Sequence, residues 1–422
     1  MYRSSGKQFG LRSRLRYILS SGPEGVISGH QRQRQTSKMV PLPSIENTED
    51  IDSLWRGPSV GARTTDTVLV TGSSGCLGQH IVKLLQEHDS TCKNIRLFDV
   101  KPYKNLLNHA VQKPMKEIQG DLTNAKEVLD ACEGVDCVIH CAALVDISLF
   151  PNEAALEAIN VEGTRNVIDA CIRQNVPYLV FTSTTDTVVS SNHIFYGAEN
   201  TTFVPKNFLM GPYAETKHRA EQLVLQANNR LLADGSTKLR SCVLRPTVFY
   251  GEQDEHFIPR IMKIAKYYGG NKVQRVKSID ERFQVTYVGN AAHAHIVAKN
   301  RLRENSDCAG EVYYITDDTP LQELYSAIKP YVDSQGKFRI SDWSIPYLLA
   351  ILGISILVLI VRLVRPIYQV GKYFPTPAAV TYACTSVFFN RQKATLRLKY
   401  YPHYTVEESH ENSLKYYKDL KV

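Results

Sequence analysis

The order of apolar and polar positions from residue 66 onward predicts a parallel α/β sheet. Short apolar runs rich in β-branched residues recur along the chain, as TVLVTG, NIRLFDV, VDCVIHCAA, YLVFTST and LRSCVLRP. Helical patterns stand between these runs, at 81–85, 125–131 and 154–172. Continuous apolar runs are typical of strands buried on both faces, and their alternation with helices is typical of a doubly wound sheet. We therefore expect an α/β fold of this class.

A long uncharged segment near the end of the chain predicts contact with a membrane. Residues 345–361 are seventeen residues without a charge, and Arg362 and Arg365 follow them. As a helix the segment would be about 26 Å long, slightly less than the ~30 Å hydrocarbon core of a bilayer. It is too apolar on all sides for a surface helix of a soluble domain. We expect a monotopic or re-entrant anchor, with a single membrane-spanning helix and a core helix as the alternatives.

The first 65 residues differ in composition from the rest. They are rich in Ser, Gly, Arg and Gln, and their first acidic residue is Glu24. This composition fits a mitochondrial targeting segment or a disordered basic tail. We therefore divide the chain into a basic, disordered extension (1–65), a catalytic body (66–336), a membrane-anchoring segment (337–375) and a C-terminal element that packs on the body (376–422).

Charge and cysteine content argue against two classes of function. The net charge is +8, but residues 1–40 and 337–422 each carry +7, which leaves −6 on residues 41–336. An acidic body disfavours nucleic-acid binding. The nine cysteines include no CxxC pair and the chain has no HExxH motif, so we expect no metal site. Scattered cysteines with apolar neighbours fit a reducing compartment rather than secretion.

A glycine-rich turn between the first apolar run and the first helical pattern predicts a dinucleotide site. The turn reads TGSSGCLG, with glycines at Gly72, Gly75 and Gly78. Such glycines allow a tight turn, close approach to a pyrophosphate and close packing of the helix on the strand. Asp99 ends the next strand, 21 residues after Gly78. A carboxylate there binds the ribose hydroxyls of NAD and repels the 2′-phosphate of NADP, so we expect a Rossmann domain that prefers NAD.

A tyrosine and a lysine four residues apart predict proton-transfer chemistry. Tyr213 and Lys217 share one face of a helix. A nearby ammonium lowers the pKa of a phenol, which can then exchange a proton with a carbinol or carbonyl oxygen. Tyr325–Lys329 and Tyr417–Lys421 have the same spacing, and we expect both to be ordinary helix surface. Tyr213 is distinguished by the hydroxyl-rich strand end at 181–185, which would face the crevice where such sheets bind ligands.

Together these motifs resemble the extended short-chain dehydrogenase/reductases. The narrower resemblance is to the 3β-hydroxysteroid dehydrogenase/isomerase family, including its relatives that oxidise sterols carrying a 4α-carboxylate. The strings that carry it are GDLT at 120–123, VIHCAA at 138–143, NVEGTRNVIDAC at 160–171, LRPTVFYG at 244–251, VTYVGNAAHAHIVA at 285–298 and YYITDDTP at 313–320. The resemblance runs from about Val68 to Leu420.

The resemblance implies a role for each matching residue. Tyr213 would transfer the proton and Lys217 would assist it. The hydroxyl that polarises the substrate falls on Thr184 when TST is aligned with the family's usual TSS, with Ser183 as the alternative. Asp186 stands where the family often has Glu and is given no role. The cofactor-binding residues would be Gly72, Gly75, Cys76, Leu77, Gly78, Asp99, Asp121, Leu122, Ala142, Lys217, Pro246 and Val248.

The implied activity is NAD-dependent oxidation of the 3β-hydroxyl of a steroid or sterol to the 3-ketone. Whether a Δ5→Δ4 isomerisation follows stays open. One alternative is a dehydrogenase of a 4α-carboxylated sterol or of another hydrophobic secondary alcohol. The alternative from another class is a non-catalytic, nucleotide-binding membrane scaffold.

The resemblance also implies a setting for the protein. A smaller C-terminal part of the fold would bind the substrate, and the partners would be this substrate and membrane lipid, without nucleic acid. We expect the endoplasmic reticulum membrane with the catalytic domain in the cytoplasm, or alternatively a mitochondrial membrane. The oligomeric state is open, and a homodimer is one option.

Overall fold

The computed structural model describes residues 66–277, 281–365 and 373–422, together with residues 367 and 371. The predicted extension at 1–65 lies outside the described residues, as does part of the predicted anchoring segment. The strands are β1 (Asp66–Thr71), β2 (Cys92–Asp99), β3 (Met115–Gln119), β4 (Cys137–His140), β5 (Tyr178–Thr182), β6 (Ile194–Gly197), β7 (Arg240–Pro246), β8 (Val248–Tyr250), β9 (Lys272–Lys277), β10 (Val285–Tyr287), β11 (Glu311–Ile315), β12 (Arg339–Pro346) and β13 (Val387–Phe389).

The helices alternate with these strands over most of the chain. They are α1 (Cys76–Glu87), α2 (Ala125–Ala131), α3 (Glu153–Leu156), α4 (Gly163–Arg173), α5 (Gly211–Ala227), α6 (Ile258–Tyr268), α7 (Val288–Glu304), α8 (Leu324–Ser334), α9 (Tyr347–Val364), α10 (Pro377–Ala383) and α11 (Val406–Asp419). A π-helical turn at Glu157–Glu162 joins α3 to α4, in the stretch where the sequence predicts one continuous helix. Insertions of this kind are frequent at functional sites.

Seven strands form one sheet in the order β3-β2-β1-β4-β5-β7-β11, and all of its pairings are parallel. The order runs outward in both directions from β1, as in a Rossmann sheet. The predicted doubly wound α/β fold is therefore confirmed. The carboxyl ends of β1, β4 and β5 lie side by side, which places the loops that follow them along one edge.

The core lies in two layers, one on each face of the sheet. Alternation along β1 divides its side chains between them. Val68 and Val70 pack in the layer that contains Ile81 of α1. Leu69 packs in the layer that contains Val167 of α4 and Val224 of α5. Because successive strand residues point to opposite faces, an uninterrupted apolar strand can bury both layers at once.

Three smaller parallel pairs, β8–β10, β9–β12 and β6–β13, come from the part of the chain after β5. They bring residues 339–346 beside β9 and residues 387–389 beside β6. Strand β12 leads directly into α9. Helix α9 is long and apolar enough to cross a membrane, and 11% of its residues are buried. It is therefore not a core helix.

A buried ion cluster fixes α7 to the amino-terminal end of the sheet. The Nζ atom of Lys299 lies 2.9 Å from Asp89 Oδ2 and 3.8 Å from Asp66 Oδ2, and it donates a hydrogen bond to Thr91 Oγ1 at 2.7 Å. Burial raises the pKa of both carboxyl groups, and the Lys299 ammonium lowers it. The pKa of Asp66 is raised by burial, whereas the ammonium and hydrogen bonds outweigh burial and lower the pKa of Asp89.

We predict that Lys299→Met destabilises the protein by about 3–5 kcal/mol at neutral pH, because it leaves the buried Asp89 carboxylate without its cation, whereas Asp66 keeps its ion pair with Arg303. The loss should shrink as the pH falls and protonation neutralises Asp89. Chemical unfolding monitored at neutral and acidic pH measures both effects. Lys329→Met, which removes an exposed ion pair with Asp333, is the matched control and should change stability little. Equal effects of the two substitutions would contradict the assignment.

Candidate active site

Two glycines in the turn between β1 and α1 are required by close contacts. Gly72 has φ +72°, and a Cβ atom there would lie 2.7 Å from the Cα atom of Ala142. A Cβ atom on Gly78 would lie 2.0 Å from the carbonyl oxygen of Gly72. Gly75 is less crowded, since its nearest contact would be 3.3 Å. The turn therefore holds its backbone flat against the end of β4 and directs the free N–H groups of α1 outward.

The Asp99 carboxylate is positioned at the end of β2 by the same turn. Its Oδ2 accepts a hydrogen bond from the Ser74 N–H at 3.0 Å, and its Oδ1 accepts one from the Lys101 N–H at 2.9 Å. Asp121 follows β3, where its Oδ1 accepts from the Thr123 N–H at 2.9 Å. Asp99, Asp121 and Leu122 all line the same cavity as the glycine turn. A glycine cradle with a carboxylate at the neighbouring strand end fits the pyrophosphate and ribose of NAD.

A run of buried hydrogen bonds begins at the ends of β1 and β4. Thr71 Oγ1 lies 2.7 Å from His140 Nδ1 and accepts a hydrogen bond from the Ala142 N–H at 3.3 Å. The other ring nitrogen of His140 lies 3.1 Å from Thr164 Oγ1 on α4. Burial and the charge of Lys217 lower the pKa of His140 to about 3, so its ring is neutral at physiological pH. The histidine thus serves as an uncharged bridge.

The π-helical turn carries this run to the helix that bears the tyrosine. Asn160 accepts a hydrogen bond from the Leu144 N–H at 2.8 Å and donates one to Thr216 Oγ1 at 3.1 Å. Thr216 in turn donates to the Tyr213 carbonyl oxygen at 2.9 Å. The turn therefore ties the loop after β4 to the first turn of α5.

Lys217 is held at the end of β5. Its Nζ donates a hydrogen bond to the Thr182 carbonyl oxygen at 2.7 Å and lies 4.4 Å from the centre of the Phe181 ring. Burial lowers the pKa of the ammonium to about 8. Burial, together with the negative charge of Asp186, raises the pKa of the Tyr213 phenol above its ordinary value. The hydroxyl of Tyr213 has no hydrogen-bond partner among the described residues, and its side chain lines the cavity.

The structure separates the two hydroxyls that the sequence left as alternatives. Ser183 is buried, and its Oγ donates a hydrogen bond to Glu221 Oε2 at 2.8 Å. Glu221 also pairs with Arg245 at 2.5 Å, so the serine belongs to an internal ionic network. Thr184 Oγ1 donates to Asp186 Oδ2 at 3.1 Å. Both residues line the cavity, but the hydroxyl proton of Ser183 is committed to the buried Glu221. This geometry favours Thr184 as the residue that meets a substrate.

Asp186 is the site residue that sequence reasoning missed. Its carboxyl lines the cavity, and its Oδ1 is buried without a hydrogen-bond partner in the described part of the chain. Burial raises the pKa of the carboxyl to about 6. The phenol of Tyr382 on α10 lies close enough that the charge of Asp186 raises its pKa. The sequence signals for Asp186 were its place two positions after Thr184 and the Glu that the family often has there, and nothing in the sequence connected it to Tyr382.

One cavity of about 910 Å³ is lined by the glycine turn, Asp99, Thr184, Asp186, Tyr213 and Lys217. The glycine turn, Asp99 and Ala142 line one part of it, and Pro246 and Val248 line the middle. Its other part is mainly apolar and is formed by the later half of the chain, with Phe257, Ile261, Ile264, Val276, Phe283 and Val380 among its lining residues. Such a cavity can hold a dinucleotide and a large apolar molecule together.

The expectation that the other two tyrosine–lysine pairs lie on the surface is wrong for their tyrosines. Tyr325 is buried and accepts a hydrogen bond from the Val276 N–H at 2.9 Å. Tyr417 is also buried; its hydroxyl accepts from the Gly251 N–H at 3.0 Å and donates to Asp254 Oδ2 at 2.9 Å. The Tyr417 hydroxyl is occupied by two structural hydrogen bonds and the Tyr325 hydroxyl accepts one, although Tyr325 also lines the cavity. Of the three tyrosines, Tyr213 is the one whose hydroxyl has no hydrogen-bond partner among the described residues.

Comparison with known proteins agrees with this geometry. The family model described as the 3-beta hydroxysteroid dehydrogenase/isomerase family matches residues 69–346. The 3 beta-hydroxysteroid dehydrogenase type 7 of Mus musculus is 34% identical over 362 residues, which cover 82% of this chain and 94% of that protein. The Homo sapiens protein of the same name is 31% identical over 354 residues, with the same coverage.

Solved structures share the fold at low sequence identity. The epimerase Mth375 from Methanothermobacter thermautotrophicus has a TM-score of 0.63 at 16% identity, and covers 88% of this chain and 96% of its own. MoeE5 in complex with UDP-glucose and NAD has a TM-score of 0.58 at 19% identity, and covers 83% of this chain and 98% of its own.

Sheet order, glycine turn and tyrosine–lysine pair together define a dinucleotide-binding fold of the short-chain dehydrogenase/reductase class. Within that class, the match over residues 69–346 and the identity to two curated relatives are decisive. The chain belongs to the 3-beta hydroxysteroid dehydrogenase/isomerase family, and the resemblance found in the sequence is confirmed.

We predict that Thr184→Ala lowers turnover by about 10²-fold, the effect of removing one donor to a developing oxyanion. Ser183→Ala should instead lower the free energy of unfolding by about 1–3 kcal/mol, because Glu221 loses a buried hydrogen bond. Steady-state kinetics and chemical unfolding of both variants separate the two roles. A larger loss of turnover in Ser183→Ala than in Thr184→Ala would show that the serine is the substrate-facing hydroxyl.

Proposed function

We propose that this protein is an NAD-dependent dehydrogenase that oxidises the 3β-hydroxyl of a steroid or sterol to the 3-ketone. The observation that carries the proposal is the single cavity, in which the glycine turn, Tyr213 and a large apolar chamber are continuous. The curated relatives named as 3 beta-hydroxysteroid dehydrogenases support the choice of substrate class. The apolar chamber suits a rigid hydrocarbon skeleton.

The cofactor is NAD. The glycine turn, Cys76 and Leu77 at the start of α1 would hold its pyrophosphate, and Asp99 would hold the adenosine ribose. Asp121 and Leu122 would line the adenine, Ala142 would approach the cofactor from the end of β4, and Pro246 and Val248 would border the nicotinamide. When bound, NAD supplies the acceptor for the hydride that leaves the carbinol carbon.

Residues of the chain itself would transfer the proton of the substrate hydroxyl. Burial and Asp186 raise the pKa of the Tyr213 phenol, so its phenolate would form only beside a compensating positive charge, and that phenolate would take the proton of the substrate hydroxyl. Lys217 stays charged below a pH of about 8, since burial lowers its pKa to that value, and its ammonium favours the phenolate. The Thr182 carbonyl fixes the position of this ammonium. Thr184 can turn its single hydroxyl proton from Asp186 toward the substrate oxygen and polarise it.

We further propose that the same site catalyses Δ5→Δ4 isomerisation through Asp186. The carboxylate would take a proton from C4 of the 3-ketone, and the electron pair of that C–H bond would form a dienolate with the C3 oxygen. Return of the proton from Asp186 to C6 would shift the double bond and restore the ketone. A carboxyl with a pKa of about 6 can both accept and return a proton near neutrality.

We also propose the cytoplasmic face of the endoplasmic reticulum membrane as the place of action. Helix α9 is apolar and largely exposed, which supports membrane binding. All nine cysteines are unpaired, which suits a reducing compartment.

We predict that the purified full-length protein forms NADH with 3β-hydroxysteroids, and that Tyr213→Phe lowers turnover by 10²–10⁴-fold, the usual contribution of a positioned acid–base group. NAD binding should change little, because the substitution removes one oxygen. Tyr401→Phe, at an exposed tyrosine, is the control. A panel of sterols with and without a 4α-carboxylate identifies the preferred substrate. No turnover with any 3β-hydroxysteroid would overturn the proposal.

We predict that Asp186→Asn prevents isomerisation while it leaves oxidation of a saturated 3β-hydroxysteroid within about tenfold of wild type. A Δ5 substrate should then accumulate as the unconjugated ketone, which absorbance distinguishes from the conjugated product. In the wild type the isomerisation rate should rise with pH through about 6, because the base is the carboxylate. Isomerisation at the wild-type rate in Asp186→Asn would assign the step to another group.

A further inference from the structure

The outer surface of α9 is apolar over its whole length. Leu348 is 74% exposed, Ile356 is 52% exposed and Leu363 is 72% exposed. We call the exposed large apolar side chains of this helix its lipid face: Leu348, Leu349, Leu352, Ile356, Leu357, Leu359, Ile360, Leu363 and Val364. A continuous apolar surface of this length needs a non-aqueous partner.

The opposite side of α9 contacts the body near both ends of the helix. The Tyr347 hydroxyl, at the first residue, lies 3.4 Å from Thr381 Oγ1 on α10. Val358 and Val361 are buried in a cluster with Phe150 and Phe374. Eighteen residues of helix span about 27 Å, so these contacts attach the helix along most of its length. A helix attached in this way lies flat along the body and does not project from it.

Cations and aromatic rings stand at the carboxyl end of the lipid face, and an exposed tryptophan precedes its amino end. The guanidinium of Arg365 lies 4.1 Å from the centre of the Phe150 ring, and Lys263 Nζ lies 5.2 Å from that of Tyr373. Arg362 is exposed in the last turn, and Trp343, just before the helix, is 61% exposed. Exposed aromatic rings and cations beside an apolar face match the headgroup layer of an anionic membrane.

The segments that hold α9 also form the wall of the cavity. Phe150 belongs to the loop after β4, and Ile147 of that loop lines the cavity. Phe374 is followed by Pro375, and α10 contributes Val380; both of these residues line the cavity. The segments around Phe150 and Phe374 therefore separate the apolar chamber on one side from α9 and its lipid face on the other.

We propose that α9 lies in the plane of the membrane, within one leaflet of an anionic phospholipid bilayer, and that the substrate enters the cavity from that leaflet beside Phe150 and Phe374. The substrate part of this statement rests on the proposed function. The in-plane position of α9 does not, because it follows from the contacts at both of its ends. A bilayer-spanning helix and a second copy of the chain are the other occupants that the experiments below distinguish.

Vesicle flotation tests the lipid face. The full-length protein should float with vesicles of phosphatidylcholine and phosphatidylserine, and more weakly with phosphatidylcholine alone. Leu352→Glu combined with Ile356→Glu should lower binding by about tenfold or more, because carboxylates are costly among acyl chains. The control is Leu231→Glu combined with Leu396→Glu, at two exposed leucines elsewhere in the fold. Equal vesicle binding by the two double variants would overturn the proposal. Self-association of the wild type without vesicles that the α9 double variant loses would assign the lipid face to a second copy of the chain and would also overturn it.

Tryptophan depth distinguishes the in-plane helix from a spanning one. With Trp55 and Trp343 replaced by phenylalanine, single tryptophans are placed at Leu349→Trp, Ile356→Trp and Leu363→Trp, about 10 Å apart along one face of the helix. Quenching by lipids with a nitroxide at a fixed acyl depth should be equal at the three positions. Quenching that changes steadily from one end of the helix to the other, or that differs between the middle position and the two ends, would show that the helix crosses the bilayer and would refute the proposal.

Substrate delivery tests the entry route. Turnover of a sterol presented in vesicles should fall about tenfold in the Leu352→Glu and Ile356→Glu double variant, whereas turnover of the same sterol presented in cyclodextrin should equal wild type. Retained turnover in cyclodextrin also shows that the variant is folded. Equal losses in both formats would refute entry from the leaflet. No turnover by the wild type in either format would refute the proposed function and leave the flotation and depth results to decide the position of α9.

Discussion

The active site depends on one buried run of hydrogen bonds that spans the carboxyl edge of the sheet. It connects the glycine turn to the catalytic helix through uncharged groups: Thr71, His140, Thr164, Asn160, Thr216 and the Tyr213 carbonyl. The first four of these five hydrogen bonds are buried and the last is partly buried. A missing partner in the buried part would leave an unsatisfied polar group at a cost of about 1–3 kcal/mol. The run therefore fixes the distance between the cofactor cradle and the tyrosine, which hydride transfer requires to be correct to a fraction of an ångström.

The fold was predictable because the strands are buried on both faces. Their apolar runs stand out from the helices, and parallel order follows from the alternation. The glycine turn, Asp99 and the pair Tyr213 and Lys217 were predictable for a related reason. They follow or face the ends of adjacent parallel strands, and such ends meet at one edge of the sheet. Sequence spacing thus carries spatial information where the topology is regular.

Where the topology is irregular, spacing alone was not enough. Tyr325 and Tyr417 match the tyrosine–lysine spacing, yet both are buried by elements from distant parts of the chain. Asp186 acquires its environment from Tyr382, which reaches the site only after the chain has passed through α9 and returned. The apolar segment was recognisable from its composition, but its orientation depends on packing against Phe150 and Phe374.

The hydrogen bonds of Tyr417 have a consequence for biosynthesis. This residue stands near the carboxyl end of the chain, and it holds Gly251 and Asp254, the second of which forms part of the cavity wall. The glycine turn is synthesised early in translation, whereas Tyr417 follows Gly72 by 345 residues. A nascent chain therefore lacks these two hydrogen bonds until α11 has left the ribosome and docked. Loss of the final turns of α11 would remove the same two hydrogen bonds and leave Gly251 and Asp254 without their phenol partner.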